Sequence, residues 1–117
     1  MAWNEVRMPL RLAGAARQIG IDLEQARLFA VAHQRDVRLV ATGGAAEYRL
    51  EEATPDGWRG LRVAQLPPAL RVVATTAPGG VFRFTPRGSA AGFGTIVVQD
   101  DAGRTRRIVV NIAGRVR

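Results

Sequence analysis

Apolar residues between positions 10 and 33 return at alternating steps of four and three: Leu12, Ala16, Ile19, Leu23, Ala26, Ala30 and His33. Such spacing puts them on one stripe of an α-helix. It predicts an amphipathic helix over about residues 10–35. Pro9 suits the first turn, where its missing N–H costs nothing. Gly14 and Gly20 each weaken the helix by about 1 kcal/mol relative to Ala. Arg11, Arg17, Gln18, Asp22, Gln25, Arg35 and Asp36 fall mostly off the stripe. The stripe is expected to lie on a sheet, with Ala16, Ala26 and Ala30 allowing close approach.

From residue 37 to 117 the pattern changes to short β segments divided by turn signals. Val37–Thr42 is apolar and β-branched and ends at Gly43-Gly44, across which Glu47–Glu51 can pair with it. Thr54-Pro55-Asp56-Gly57 is a turn, Trp58–Leu66 is partly extended, and Pro67-Pro68 interrupts it. Leu70–Thr75 and Val81–Thr85 read as strands, the latter with Phe82 and Phe84 on one face. Pro86–Phe93 is a loop rich in Gly and Ala. Thr95–Gln99 and Arg106–Ile112 form a last hairpin around Asp100-Asp101-Ala102-Gly103, and the chain ends on Gly114-Arg115-Val116-Arg117. One helix followed by six or seven antiparallel strands is an α+β layout.

Length and composition narrow this to one domain of 117 residues. Without cysteine there is no disulfide framework and no Cys-ligated zinc. No stretch reaches the ~18–20 apolar residues that span a bilayer. All 17 basic side chains are Arg, against 10 acids, for a formal charge of +7. Residues 1–58 hold 7 Arg and 8 acids, whereas residues 59–117 hold 10 Arg and 2 acids. That asymmetry favours an acidic partner for the second half, such as nucleic acid or anionic lipid, with a solvated basic face as the plainer account.

Catalytic chemistry finds no foothold. His33 is the sole histidine and Ser89 the sole serine, so neither a metal pair nor a nucleophile elbow can be assembled. Asp100-Asp101-Ala102-Gly103 offers too few oxygens for a calcium loop and reads as a turn. Gly92-Phe93-Gly94 and Gly43-Gly44 lack the pattern of a phosphate loop. No enzyme, metal or cofactor is expected. Trp58 reads as a packing residue over the sheet. The basic C-terminal surface is the sharper signal: Arg87, Arg104, Arg106, Arg107, Arg115 and Arg117. Guanidinium forks suit phosphate oxygens, and binding through them is strongly salt-dependent. Alternation along the last strand puts Arg106 with Ile108, Val110 and Ile112, and Arg107 with Val109 and Asn111.

Phe84-x-Pro86-x-Gly88, Gly94-Thr95-Ile96-Val97-Val98, the Gly103 turn, Arg107-Ile108-Val109-Val110 and Gly114-Arg115-x-Arg117 occur in that order. With the helical Leu23–Val31 segment, they resemble the globular domain of the GspH/FimT family of minor pseudopilins and pilins. The resemblance runs from about Leu12 to Arg117 and is poor over residues 44–78. It implies a pilin-like fold and a structural subunit of a type II secretion system or type IV pilus, near the filament tip. Other minor and major pseudopilins or pilins would be its partners. It also implies, for FimT-type members, that a Gly-Arg-x-Arg end helps bind double-stranded DNA during uptake, which carries over to Gly114, Arg115 and Arg117. The alternative is that Gly114-Arg115 ends the last strand with its Arg paired to a carboxylate. The family's peptidase site and apolar half-helix have no counterpart here. The sequence is therefore expected to be the periplasm-facing domain, tied to the inner membrane through that segment alone.

Overall fold

The computed structural model describes the backbone of residues 2–117 and the side chains of residues 10–117. One helix, α1 (Ala2–His33), precedes seven strands. α1 begins well before the predicted start near residue 10 and runs through Pro9. Ala2, Glu5, Arg7 and Met8 are helix-favouring types, and a proline removes one N–H while keeping a helical φ. The helix stops at His33 because Gln34 takes a left-handed φ of 54°. The Arg35 N–H then closes back onto the Ala30 carbonyl at 3.2 Å. Among the described residues, no helix is long and apolar enough to cross a membrane.

The strands are β1 (Val37–Val40), β2 (Glu47–Thr54), β3 (Gly57–Gln65), β4 (Arg71–Thr75), β5 (Val81–Phe84), β6 (Gly94–Gln99) and β7 (Thr105–Val110). They form two antiparallel sheets, one ordered β3-β2-β1-β5 and the other β4-β6-β7. α1 lies across both, against β1 and β5 of the first and β6 and β7 of the second. The register of β1 shows why: Leu39 stands between Leu50 and Phe82, and Val37 between Glu52 and Phe84. Those alternate positions turn to the helix and are buried.

Leu12, Ile19, Leu23, Ala26 and Ala30 of the predicted stripe are buried against Leu39, Phe82, Phe84, Ile96, Ile108 and Val110. Each fully buried large side chain stabilises the fold by about 1.5–3 kcal/mol. Ala16 is only half-buried and Ala15 takes the inner place. His33 is exposed and stacks on Phe29, with ring centroids 4.0 Å apart. The seam thus closes at Ala30, one turn before the spacing implies, because the chain leaves the sheet at Gln34.

β2 and β3 contain an irregularity that the sequence hides. Leu50 pairs with Arg62 and Glu51 with Gly60, leaving Leu61 as a bulge. Arg59 and Arg62 are three apart and would face opposite sides of a regular strand. The extra residue puts both on the side of Leu50 and Glu52, toward the helix.

Candidate functional site

The last hairpin is pinned by Asp100, a buried carboxylate. Its Oδ1 accepts the N–H groups of Ala102 and Arg104 at 2.9 and 3.0 Å, and its Oδ2 accepts Nε of Arg104 at 2.9 Å. Desolvation alone would raise its pKa. The hydrogen bonds and charge of Arg104, with the Ala102 N–H, outweigh that and hold it below the ordinary carboxylate range. Arg104 is therefore committed to the turn and drops out of the free basic set.

β7 then alternates as expected, Ile108 and Val110 buried and Val109 exposed. It ends at Val110, two residues before the predicted Ile112, and the chain reverses through Asn111–Gly114. The Arg117 N–H bonds to the Val109 carbonyl at 2.8 Å, and the Val109 N–H to the Arg117 carbonyl at 2.9 Å. Val116 bridges Val110. Gly114-Arg115 therefore does not end a strand; it opens a short return segment along the free edge of β7. Gly114 has a φ of 85°, and a Cβ there would fall on the carbonyl oxygen of Gly88. That close approach sets the backbone beside Arg115 against the turn that carries Arg87.

Ion pairs divide the arginines into two populations. Arg27, Arg35, Arg38, Arg59, Arg62, Arg83 and Arg104 each meet a carboxylate. Among the described residues, Arg87, Arg106, Arg107, Arg115 and Arg117 meet none within 4.0 Å. The paired form expected for Arg115 is thus not made. A groove of about 560 Å³ runs between α1 and the return segment, with Arg17 and Arg106 at its edge; Arg107 and Arg117 share the opposite face of the sheet with Val109. A second groove of about 370 Å³ continues it past Glu24 and Arg27 to Arg115. Trp58 packs on the outer face of the four-stranded sheet beneath the Arg38 guanidinium, 4.0 Å from its ring centroid.

Three features escape a reading by periodicity. Asp22, taken as off the stripe, is buried and accepts hydrogen bonds from Tyr48 Oη, from Arg62 at 2.6 Å and from Gln18 at 3.0 Å. It joins helix to sheet. Burial, followed by the bond to Asp22, pushes the Tyr48 hydroxyl well above its ordinary pKa of 10.0. Glu52 is likewise buried and held by Arg59 and Arg35. The third is a second apolar line on α1: Leu10, Ile21, Leu28 and Val31 are 66, 43, 51 and 39% exposed. At about 100° per residue they lie within about 80° of one another, opposite the core stripe.

No group of three or more metal-ligating side chains occurs among the described residues.

Comparison with solved structures finds the same architecture. The minor pseudopilin EpsH from the type II secretion system of Vibrio cholerae superposes with a TM-score of 0.77 at 13% identity, over 92% of each chain. The type IV minor pilin FimU of Pseudomonas aeruginosa gives 0.75 at 19% identity, over 94% of this chain and 89% of that one. No curated protein sequence matches. These likenesses are to a minor pseudopilin and a minor pilin and show the fold. The sequence profile of type II transport protein GspH matches residues 15–114, most of the chain, on the helix and both sheets just described: the chain belongs to the GspH family.

Proposed function

We propose that this protein is a non-catalytic structural subunit of a type II secretion or type IV pilus filament, working through protein–protein contacts. The observation that carries this is the second apolar line on α1. A helix that already buries one stripe in its own domain does not need Leu10, Ile21, Leu28 and Val31 on the opposite side. Exposed apolar stripes of this kind serve association. As a minor subunit it takes its place near the tip, among minor and major pseudopilins or pilins. Its globular domain faces the periplasm from the inner membrane.

The cysteine-free sequence makes the test clean. Leu28→Cys labelled with a thiol-specific benzophenone maleimide, in cells making the filament, should photocrosslink to a neighbouring subunit, while the same label on Arg49→Cys on the outer sheet face should not. No crosslink from position 28 sinks the reading.

A second reading is a DNA-binding pilin. It is supported by the guanidinium groups of Arg87, Arg106, Arg107, Arg115 and Arg117, which lack carboxylate partners among the described residues. Duplex DNA should then bind with strong salt dependence and lose affinity in Arg115→Gln/Arg117→Gln. Absence of binding at low salt rules it out.

A further inference from the structure

We infer that the groove between α1 and the return segment docks a carboxylate-bearing polypeptide segment with apolar side chains, supplied by a neighbouring subunit. This rests on the filament reading for the existence of the neighbour, but not for the chemistry. The floor is apolar: Ala13, Ala16 and Gly20 from the helix, Ile108 and Val116 from the sheet side. The rim carries Arg17 from the helix and Arg106, which shares the helix-facing side of β7 with Ile108, and neither has a carboxylate within 4.0 Å among the described residues. The single acid on the rim, Glu24, is already bonded to Arg27. Its volume of about 560 Å³ lies in the ~300–1,000 Å³ range of ligand-taking clefts.

Both halves of the groove constrain the occupant. The unpaired guanidinium groups ask for anions. The floor can be desolvated only by apolar side chains reaching between helix and sheet. A duplex offers the first and not the second, because its phosphates stand on a rigid outer backbone that stops at the rim. An acidic polypeptide with interspersed leucines supplies both.

The probe is a fluorescent peptide of about twelve residues, Leu at every third position and Glu elsewhere, followed by anisotropy on this chain at low salt. It is compared with a duplex of about twenty base pairs. Ala13→Trp, which fills the floor without changing charge, should weaken peptide binding tenfold or more. Arg17→Gln/Arg106→Gln should do the same, while Arg71→Gln, on the far edge strand, should leave it unchanged. The double variant carries the test if Ala13→Trp fails to fold. The proposal is overturned if peptide does not bind, if Ala13→Trp has no effect, or if Arg71→Gln matches the double variant. Duplex binding that survives Ala13→Trp, with no peptide binding, assigns the arginines to nucleic acid. A Leu28→Cys crosslink without peptide binding removes the groove and keeps the filament subunit. Peptide binding without the crosslink does the reverse.

Discussion

At the scale of residues, the most consequential side chain is one that looks unremarkable in the sequence. Asp22 is 1% exposed and is held by Tyr48, Arg62 and Gln18. A buried carboxylate is tolerated only where such donors replace water. Asp22→Asn removes the charge that Arg62 answers and should cost about 2–3 kcal/mol by denaturant unfolding, toward the low end of such losses because Arg62 is half-exposed. Tyr48 adds a pH dependence. Its folded pKa is raised above 10.0, so its stabilising share is complete below that value. As pH climbs past 10 the unfolded chain loses the proton first, and stability falls. The melting temperature should drop above pH 10, and Tyr48→Phe should flatten that drop while costing about 1 kcal/mol at neutral pH. None of this was legible beforehand. Asp22 meets Arg62 only because the Leu61 bulge turns that arginine inward, and a bulge leaves no mark on hydrophobic spacing. Gly114 shows the opposite case. Its motif could be read, but its reason is steric: Gly114→Ala meets the Gly88 carbonyl at a positive φ and should destabilise by about 1–3 kcal/mol whatever the arginines bind.

Elements were far more readable, because each is written in local period. The core stripe of α1, the pairing of β1 with β2 and the hairpin around Asp100–Gly103 follow from spacing and turn residues alone. Ends were less readable. His33 keeps the helical spacing yet has no sheet beneath it, and Ile112 keeps strand alternation yet lies in the reversal after β7. In both places the chain turns away before the pattern does. The division into two sheets was not legible either, since strand order depends on long-range pairing. The two faces of α1 give a direct prediction. Leu23→Ala empties a fully buried site and should cost about 3 kcal/mol. Leu28→Ala, from a side chain 51% exposed, should stay within about 0.5 kcal/mol in the isolated domain. If Leu28→Ala were as costly, the outward line would belong to the fold and not to association.

Over the whole molecule, charge and pairing reinforce each other. Among the described residues six acids, Asp22, Glu24, Asp36, Glu51, Glu52 and Asp100, take seven arginines into ion pairs. Apart from the Arg27 and Arg104 pairs, these involve an arginine at the helix end or on the four-stranded sheet. The three-stranded sheet and its return segment keep Arg71, Arg106, Arg107, Arg115 and Arg117, with no acid inside β4, β6 or β7. The field is therefore one-sided, which net charge alone does not require. Two double variants separate position from total. Arg106→Gln/Arg107→Gln and Arg38→Gln/Arg83→Gln each lower the formal charge of +7 by two. The first pair should elute from a heparin column at clearly lower salt than the unaltered chain. The second should elute close to it, because Arg38 and Arg83 already face Glu51 and Asp36. The Arg83–Asp36 pair lies at the surface and contributes little to stability, whereas the Arg38–Glu51 pair is largely covered, so the second variant is compared once its melting curve shows it folded. Equal shifts would mean that the matrix reads total charge, and the basic face would then lose its claim to be where an acidic partner first arrives.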